Sequence, residues 1–121
     1  MIDPQTKGIY LADVRGIIRY RDTKHCVCVS AGNGIYYLVD TLHRAEYNDF
    51  QIKASNYAFL NGKDRYVSCV PVAIPKSRLL CQVGVLSDTD TKTMYLKTEA
   101  SHKIQRDEKK ALLTELWKTF K

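Results

Sequence analysis

A short basic stretch in the first third of the chain carries side chains that could act on a phosphodiester. Its members are Arg19, Arg21, Lys24 and His25, and Thr41 lies further along the chain. Cleavage of RNA by its own 2′-hydroxyl needs a base, an acid and a cation that stabilises the crowded phosphorane. These side chains could supply those roles if the loop that carries the arginines folds over the end of a strand. His25 is the candidate acid or base, although a single histidine at a strand start is also common on protein surfaces.

Other kinds of catalytic or metal site find less support in the sequence. No GxGxxG, P-loop or zincin motif is present. Cys26 and Cys28 point to one face of a strand and could form half of a zinc site, completed by Cys69, Cys81 or His25. The C-x-C spacing differs from the usual C-x₂-C knuckle, and small buried hydrophobic side chains are the more ordinary interpretation. We therefore expect no metal site and no cofactor.

Length and composition are those of one globular domain, residues 1–121, with an excess of positive charge. Apolar residues make up 45% of the chain and charged residues 26%, so wholesale disorder is not expected. The sequence has no apolar run of membrane-spanning length, and residues 1–15 contain no secretory h-region. We therefore expect a cytoplasmic protein with reduced cysteines and no membrane contact. The net charge of +6 favours anionic partners, nucleic acid above all, and also aids solubility.

The chain up to about residue 74 has the pattern of strands. Apolar, β-branched and tyrosine-rich segments predict strands at 8–11, 14–20, 25–30, 35–41 and 64–74. The third of these is apolar on both faces, which favours a central position in a sheet. Asn33-Gly34 predicts a tight turn between the third and fourth strands. The more polar segment 42–63 is expected to be partly irregular, and Pro71 indicates an edge or a bulge.

The last third of the chain has a helical pattern. Residues 75–80 could form a short helical turn, and Ser87 followed by Asp90 is a capping signature that predicts a helix at 88–100. A second helix is expected at 107–120, with one apolar face formed by Leu113, Leu116, Trp117 and Phe120. That face is interpreted as core, or alternatively as a dimer or partner surface. Strands followed by helices predict an α+β fold, with a small curled sheet or barrel and C-terminal helices.

The order of several short motifs along residues 7–100 is similar to that of a known family. The motifs are Lys7-Gly8-Ile9-Tyr10-Leu11-Ala12-Asp13, the strand 24–30, Val39-Asp40-Thr41, Asp64-Arg65-Tyr66-Val67-Ser68-Cys69, Lys76-Ser77-Arg78-Leu79 and Gly84-Val85-Leu86-Ser87. Together they resemble the MazF/PemK-type RNA-cleaving toxins. Each motif alone is common, and their joint order carries the resemblance.

The resemblance implies an SH3-like barrel that cleaves single-stranded RNA without a metal and is neutralised by an antitoxin protein. It implies that Thr41 occupies the position of a catalytic threonine and that Lys24 stands where the family has a catalytic arginine. On this hypothesis Lys24, Thr41 and His25 are catalytic, and Arg19, Arg21 and Arg78 bind RNA. A homodimer is a further expectation. The alternative is a non-catalytic module on the same barrel that binds nucleic acid or protein, which the lysine at position 24 favours because lysine lacks the planar fork of arginine.

Overall fold

The strands lie within residues 8–85, together with loops and four short 3₁₀ helices, and the two α-helices follow. The computed structural model describes residues 1–120. The strands are β1 (Gly8–Asp13), β2 (Thr23–Ser30), β3 (Ile35–Asp40), β4 (Phe50–Ile52), β5 (Arg65–Ala73) and β6 (Leu79–Val85). The helices are α1 (Asp88–Ala100) and α2 (Arg106–Trp117). No helix within residues 1–120 has the length and apolar character needed to cross a membrane.

The six strands form one antiparallel sheet in the order β4-β5-β3-β2-β1-β6. Register shifts interrupt the β1–β6, β2–β3 and β3–β5 pairs, and such bulges increase the local twist and curl the sheet. The ends of the order are β4 and β6, so the sheet is curled without closing into a barrel. With both helices following the strands, this architecture confirms the predicted α+β class.

The two faces of the sheet have separate cores, because successive side chains of a strand point to opposite sides. In the central strand β2, Val27 and Val29 belong to the core under the helices, which also contains Met94 of α1 and Leu112 of α2. Cys26 and Cys28 belong to a second core on the other face. The second core is covered by the N-terminal residues and by the β1–β2 loop, residues 14–22. The expectation that this strand lies centrally is confirmed.

Two expectations about strands were wrong. Residues 14–20 form turns and bends rather than a strand. Their apolar members Val14, Ile17 and Ile18 pack on the second core without pairing to a strand. Conversely, β6 was not expected in the helical last third, and it pairs only with β1 at the sheet edge. Its exposed middle, Cys81-Gln82, obscures the strand pattern in the sequence.

The apolar face of α2 is rotated from the one that the sequence predicts. Leu112 and Leu116 are buried against the sheet, whereas Trp117 keeps 64% of its surface exposed. The start of α1 is as expected, since the hydroxyl of Ser87 accepts a hydrogen bond from the backbone N–H of Asp90 at 3.1 Å.

Candidate functional site

Two grooves meet at Lys24, near the start of β2. The first, which we call the His25 groove, has a volume of about 440 Å³ and is lined by Leu11, Arg21, Thr23, Lys24, His25, Val39, Thr41, Phe59, Leu60, Asn61, Lys63 and Arg65. The second, the Asp40 groove, has a volume of about 490 Å³ and is lined by Ile18, Arg19, Arg21, Lys24, Leu38, Asp40, Arg44, Tyr47, Ser68, Val70 and Val72. Arg21 and Lys24 form the wall between them.

The side chain of Lys24 is held by the neighbouring strand. Cys26 pairs with Leu38, so the antiparallel register places Lys24 opposite Asp40. The Lys24 ammonium donates hydrogen bonds to the Asp40 carboxylate and, at 3.2 Å, to the backbone carbonyl of Val39. Only 16% of the Lys24 side chain is exposed. The charge of Lys24 is therefore largely compensated within the protein.

Asp40 is a negative charge inside an otherwise basic groove. Its other carboxylate oxygen accepts a hydrogen bond from the Ser68 hydroxyl at 2.5 Å. Burial alone raises the pKa of Asp40, but the hydrogen bonds from Lys24 and Ser68 outweigh it, and the pKa lies below its ordinary value. Asp40 is therefore ionised at neutral pH and fixes the position of Lys24.

His25 projects from the same end of β2 into the His25 groove. Its ring packs against that of Phe59, with 4.8 Å between the centroids. Burial lowers the pKa of His25, and the positive charge of Arg65 lowers it further. A histidine with a lowered pKa is neutral at pH 7, which is the form that can accept a proton.

Thr41 follows β3, is exposed, and lines the His25 groove with Thr23 and the basic residues Arg21, Lys63 and Arg65. All three residues proposed as catalytic, Lys24, His25 and Thr41, therefore contribute to one groove. The ammonium of Lys24, however, is bonded on the side of Asp40. The arrangement combines a neutral imidazole, hydroxyls and cations, which is the set that a phosphodiester requires.

The Asp40 groove carries two arginines that pack on exposed tyrosines. Arg19 lies over the ring of Tyr20 at 5.5 Å, and Arg44 lies over that of Tyr47 at 5.7 Å. Tyr20 is 91% exposed, at the tip of the β1–β2 loop. Aromatic rings beside cations are a common platform for single-stranded nucleic acid. The predicted RNA-binding residues Arg19 and Arg21 are thus brought together here.

Arg44 is positioned by a buried carboxylate. Asp49 is buried and accepts hydrogen bonds at 2.7 Å from the backbone N–H of Arg44 and from the ring of His43. This contact orders the chain that follows β3, where the sequence predicts an irregular segment.

Arg78 lies apart from both grooves. Its guanidinium donates to the backbone carbonyl of Arg15 at 2.7 Å and lies 3.7 Å from the carboxylate of Asp13. Arg15 also hydrogen-bonds Asp13 and lowers the pKa of that carboxyl to about 2. Arg78 therefore braces the start of the β1–β2 loop.

The three buried cysteines, Cys26, Cys28 and Cys69, show no features of a reactive group. Burial raises the pKa of Cys26, Cys28 and Cys69 to about 12, so these thiols stay protonated. In the part of the chain that the structure describes, residues 1–120, no three His, Cys, Asp or Glu side chains cluster as metal ligands would.

The sequence patterns assigned no role in the site to several groove residues, namely Asp40, Arg44, Lys63, Arg65 and Ser68. Asp40 carried a usable signal, because it is a charged residue on the strand that the Asn33-Gly34 turn pairs with β2. The others come from distant segments that only the folded sheet brings together.

No protein-family model matches the chain, and no curated protein matches it. The likeness to MazF/PemK-type toxins rests on the order of sequence motifs alone.

Proposed function

We propose that the protein is an endoribonuclease that cleaves single-stranded RNA at the His25 groove without using a metal. The observation that carries the proposal is a half-buried histidine with a lowered pKa in a groove lined by Arg21, Lys63 and Arg65. The cations attract the phosphate backbone, and the neutral imidazole is a base at neutral pH.

The chemistry follows from these groups. His25 takes the proton of a ribose 2′-hydroxyl, whose oxygen attacks the adjacent phosphorus. The bond to the 5′-oxygen breaks, and that oxygen takes a proton from water at the open mouth of the groove. The products are a 2′,3′-cyclic phosphate and a 5′-hydroxyl. Arg21 and Arg65 stabilise the added negative charge on the phosphorane, and Thr41 orients the phosphate through its hydroxyl.

Lys24 has a smaller part in this scheme than the sequence resemblance implies. Its ammonium is paired with Asp40, so less of its charge acts on a bound phosphate. We assign it to holding β2 and β3 in register at the wall between the grooves. The wider role in the proposal is that of the family it resembles: a cytoplasmic toxin that an antitoxin protein neutralises.

The test is cleavage of a fluorescent single-stranded RNA pool in EDTA by the parent, His25→Ala and His102→Ala. His102 is exposed and lies outside both grooves, so it is a matched control. The proposal expects the parent and His102→Ala to cleave equally, and His25→Ala to be slower by about 10²-fold or more. Intact RNA with folded parent protein, or equal rates for the two variants, would contradict it.

A second candidate function is binding of single-stranded nucleic acid without cleavage. The Arg44–Tyr47 pair of the Asp40 groove and the adjacent Arg19–Tyr20 pair favour it. Here Tyr20→Ala should weaken binding of a labelled RNA by about 1–3 kcal/mol, the usual value of one stacked base. RNA that is bound and stays intact, with loss of binding in Tyr20→Ala, would favour this function over catalysis.

A further inference from the structure

The exposed side of α2 carries a groove that neither proposed function uses. We call it the α2 groove. Its volume is about 830 Å³, and it is lined by Tyr95, Arg106, Asp107, Lys109, Lys110, Leu113, Thr114, Trp117 and Lys118. Arg106, Lys110, Leu113 and Trp117 recur at helical spacing on one stripe of α2. At 1.5 Å per residue that stripe is roughly 16 Å long, which is about three turns of a second helix.

The floor of the α2 groove is apolar and exposed. Trp117 packs beside Tyr95 at 5.9 Å and beside Phe120 at 6.1 Å, so three rings cluster at one end. Leu113 is half-buried further along the stripe. Trp117 nevertheless keeps 64% of its surface exposed. A solvent-exposed tryptophan with apolar neighbours is the composition of a binding hot spot.

The rim of the α2 groove is basic. Four of its side chains are cationic, Arg106, Lys109, Lys110 and Lys118, and Asp107 is its one acidic member among the described residues. Lys118 lies 3.9 Å from the carboxylate of Glu115, so the positive charge of the rim comes mainly from the other three. An apolar centre inside a charged rim is the usual anatomy of a protein interface. The rim charge selects a partner of the opposite sign.

We propose that the α2 groove binds an acidic amphipathic helix of another protein. Apolar residues of that helix at i, i+3 or i+4 and i+7 would lie along Leu113, Trp117 and Tyr95. Its glutamates or aspartates would face Arg106 and Lys110. This is the helix-in-groove mode of recognition, in which the apolar stripe supplies affinity and the rim supplies specificity.

Two other occupants fit the same groove less well. A second copy of this chain that used the same groove about a two-fold axis would bring two basic rims together, and the whole chain carries a net charge of +6. A nucleic acid would meet the basic rim, but the aliphatic side chain of Leu113 in the floor offers no ring on which a base could stack.

The experiment is a selection followed by a binding measurement. A displayed library of 16-residue helix-forming peptides is selected for binding to the parent protein. Peptides that also bind the double variant Leu113→Asp, Lys110→Glu are removed from the library in each round. Selected peptides are then synthesised and titrated against the parent while tryptophan fluorescence is recorded. Trp117 is the only tryptophan of the chain, so a blue shift reports on this groove alone.

The proposal expects enriched peptides to be acidic with an i, i+3/i+4, i+7 apolar pattern and to shift the emission of Trp117 to the blue. Lys110→Glu should weaken their binding about tenfold or more, and Lys53→Glu, an exposed lysine outside the groove, should not. No enrichment, enrichment of basic or patternless peptides, or equal binding by Lys110→Glu would overturn it. Light scattering that shows a dimer dissociated by Lys110→Glu, or quenching of Trp117 by oligouridine in place of peptide, would also overturn it. Circular dichroism of each variant verifies that it is folded.

Discussion

At the scale of single residues, the carboxylate of Asp40 reduces the positive charge that the basic stretch at 19–25 presents to a ligand. It accepts hydrogen bonds from Lys24 and Ser68, and only 22% of its side chain is exposed. A phosphate that approaches Lys24 must compete with a carboxylate already in place. The positive charge that either groove presents to a ligand therefore comes mainly from its arginines and from Lys63.

Asp40→Asn separates the structural role of this carboxylate from its electrostatic one. The folded protein lowers the pKa of Asp40, so its contribution to stability is complete above the ordinary carboxyl pKa of about 3.9 and is lost as the pH falls through the lower, folded-state value. We expect Asp40→Asn to reduce the free energy of unfolding by about 1–3 kcal/mol at neutral pH, and the difference from the parent to shrink in acid.

Urea unfolding at stepped pH measures this difference, with Asp3→Asn, an exposed acid, as the control. A stability difference that stays constant down to the acid range would contradict the assignment. The same variant should bind single-stranded RNA more tightly than the parent, because it removes a negative charge and releases Lys24.

His25 offers a second test at this scale that does not depend on activity. Burial and the charge of Arg65 both lower its pKa. Arg65→Gln removes the second cause, so the pKa of His25 should rise while remaining below its ordinary value. An NMR titration of the imidazole resonances measures it, and Arg106→Gln, whose side chain lines only the α2 groove among the three grooves described, should leave it unchanged. In the catalytic proposal, the acid limb of the pH–rate profile moves in the same direction.

At the scale of the elements, the bulge in the β2–β3 hairpin explains why Lys24 lies against Asp40. Next to the turn, Ser30 pairs with Ile35, and continuing that register would place Lys24 opposite Thr41. The register shifts between Cys28 and Ser30, so Cys28 pairs with Tyr36 and Lys24 comes opposite Asp40. A shift of one residue exchanges the faces of a strand. Thr41 is thereby directed with Val39 toward the His25 groove.

This bulge also marks the limit of what the sequence could predict. The strands 25–30 and 35–41, the Asn33-Gly34 turn and the cap at Ser87 have local signals, and the structure has each of them within two residues. A bulge has no such signal here, because it depends on how the whole sheet curls. The strand predicted at 14–20 was wrong for a related reason. The apolar residues of this β1–β2 loop pack on the second core, and a contact of that kind between distant segments cannot be distinguished from a strand in the sequence.

The face that α2 buries, which differs from the predicted one, has a direct consequence for the free energy of unfolding. Leu116 is buried in the core and Trp117 is mostly exposed, although both belong to the predicted apolar face. We expect Leu116→Ala to cost about 2–5 kcal/mol in the free energy of unfolding, because it leaves a cavity. Trp117→Ala should cost less than about 1 kcal/mol. Urea unfolding compares the two, and equal costs would show that the helix presents the predicted face to the core.

At the scale of the whole molecule, the charge of the chain and the placement of its grooves both favour a polyanionic ligand. The net charge is +6, and the two grooves at the end of β2 carry cations from β2, β5 and the connecting loops. Such a field attracts polyanions and raises their association rate at low salt. Charge alone does not distinguish a nuclease from a binding module, and the position of His25 is what favours the nuclease.

The most direct measurement is to incubate the folded protein in EDTA with a mixed pool of single-stranded RNA and with the DNA of the same sequences. Mass spectrometry then identifies the ends of any products. We predict that RNA is cut to fragments with 2′,3′-cyclic phosphate and 5′-hydroxyl ends, and that DNA, which lacks the attacking 2′-hydroxyl, stays intact. RNA left uncut, DNA cut alongside it, or RNA ends of the opposite kind would contradict the central claim.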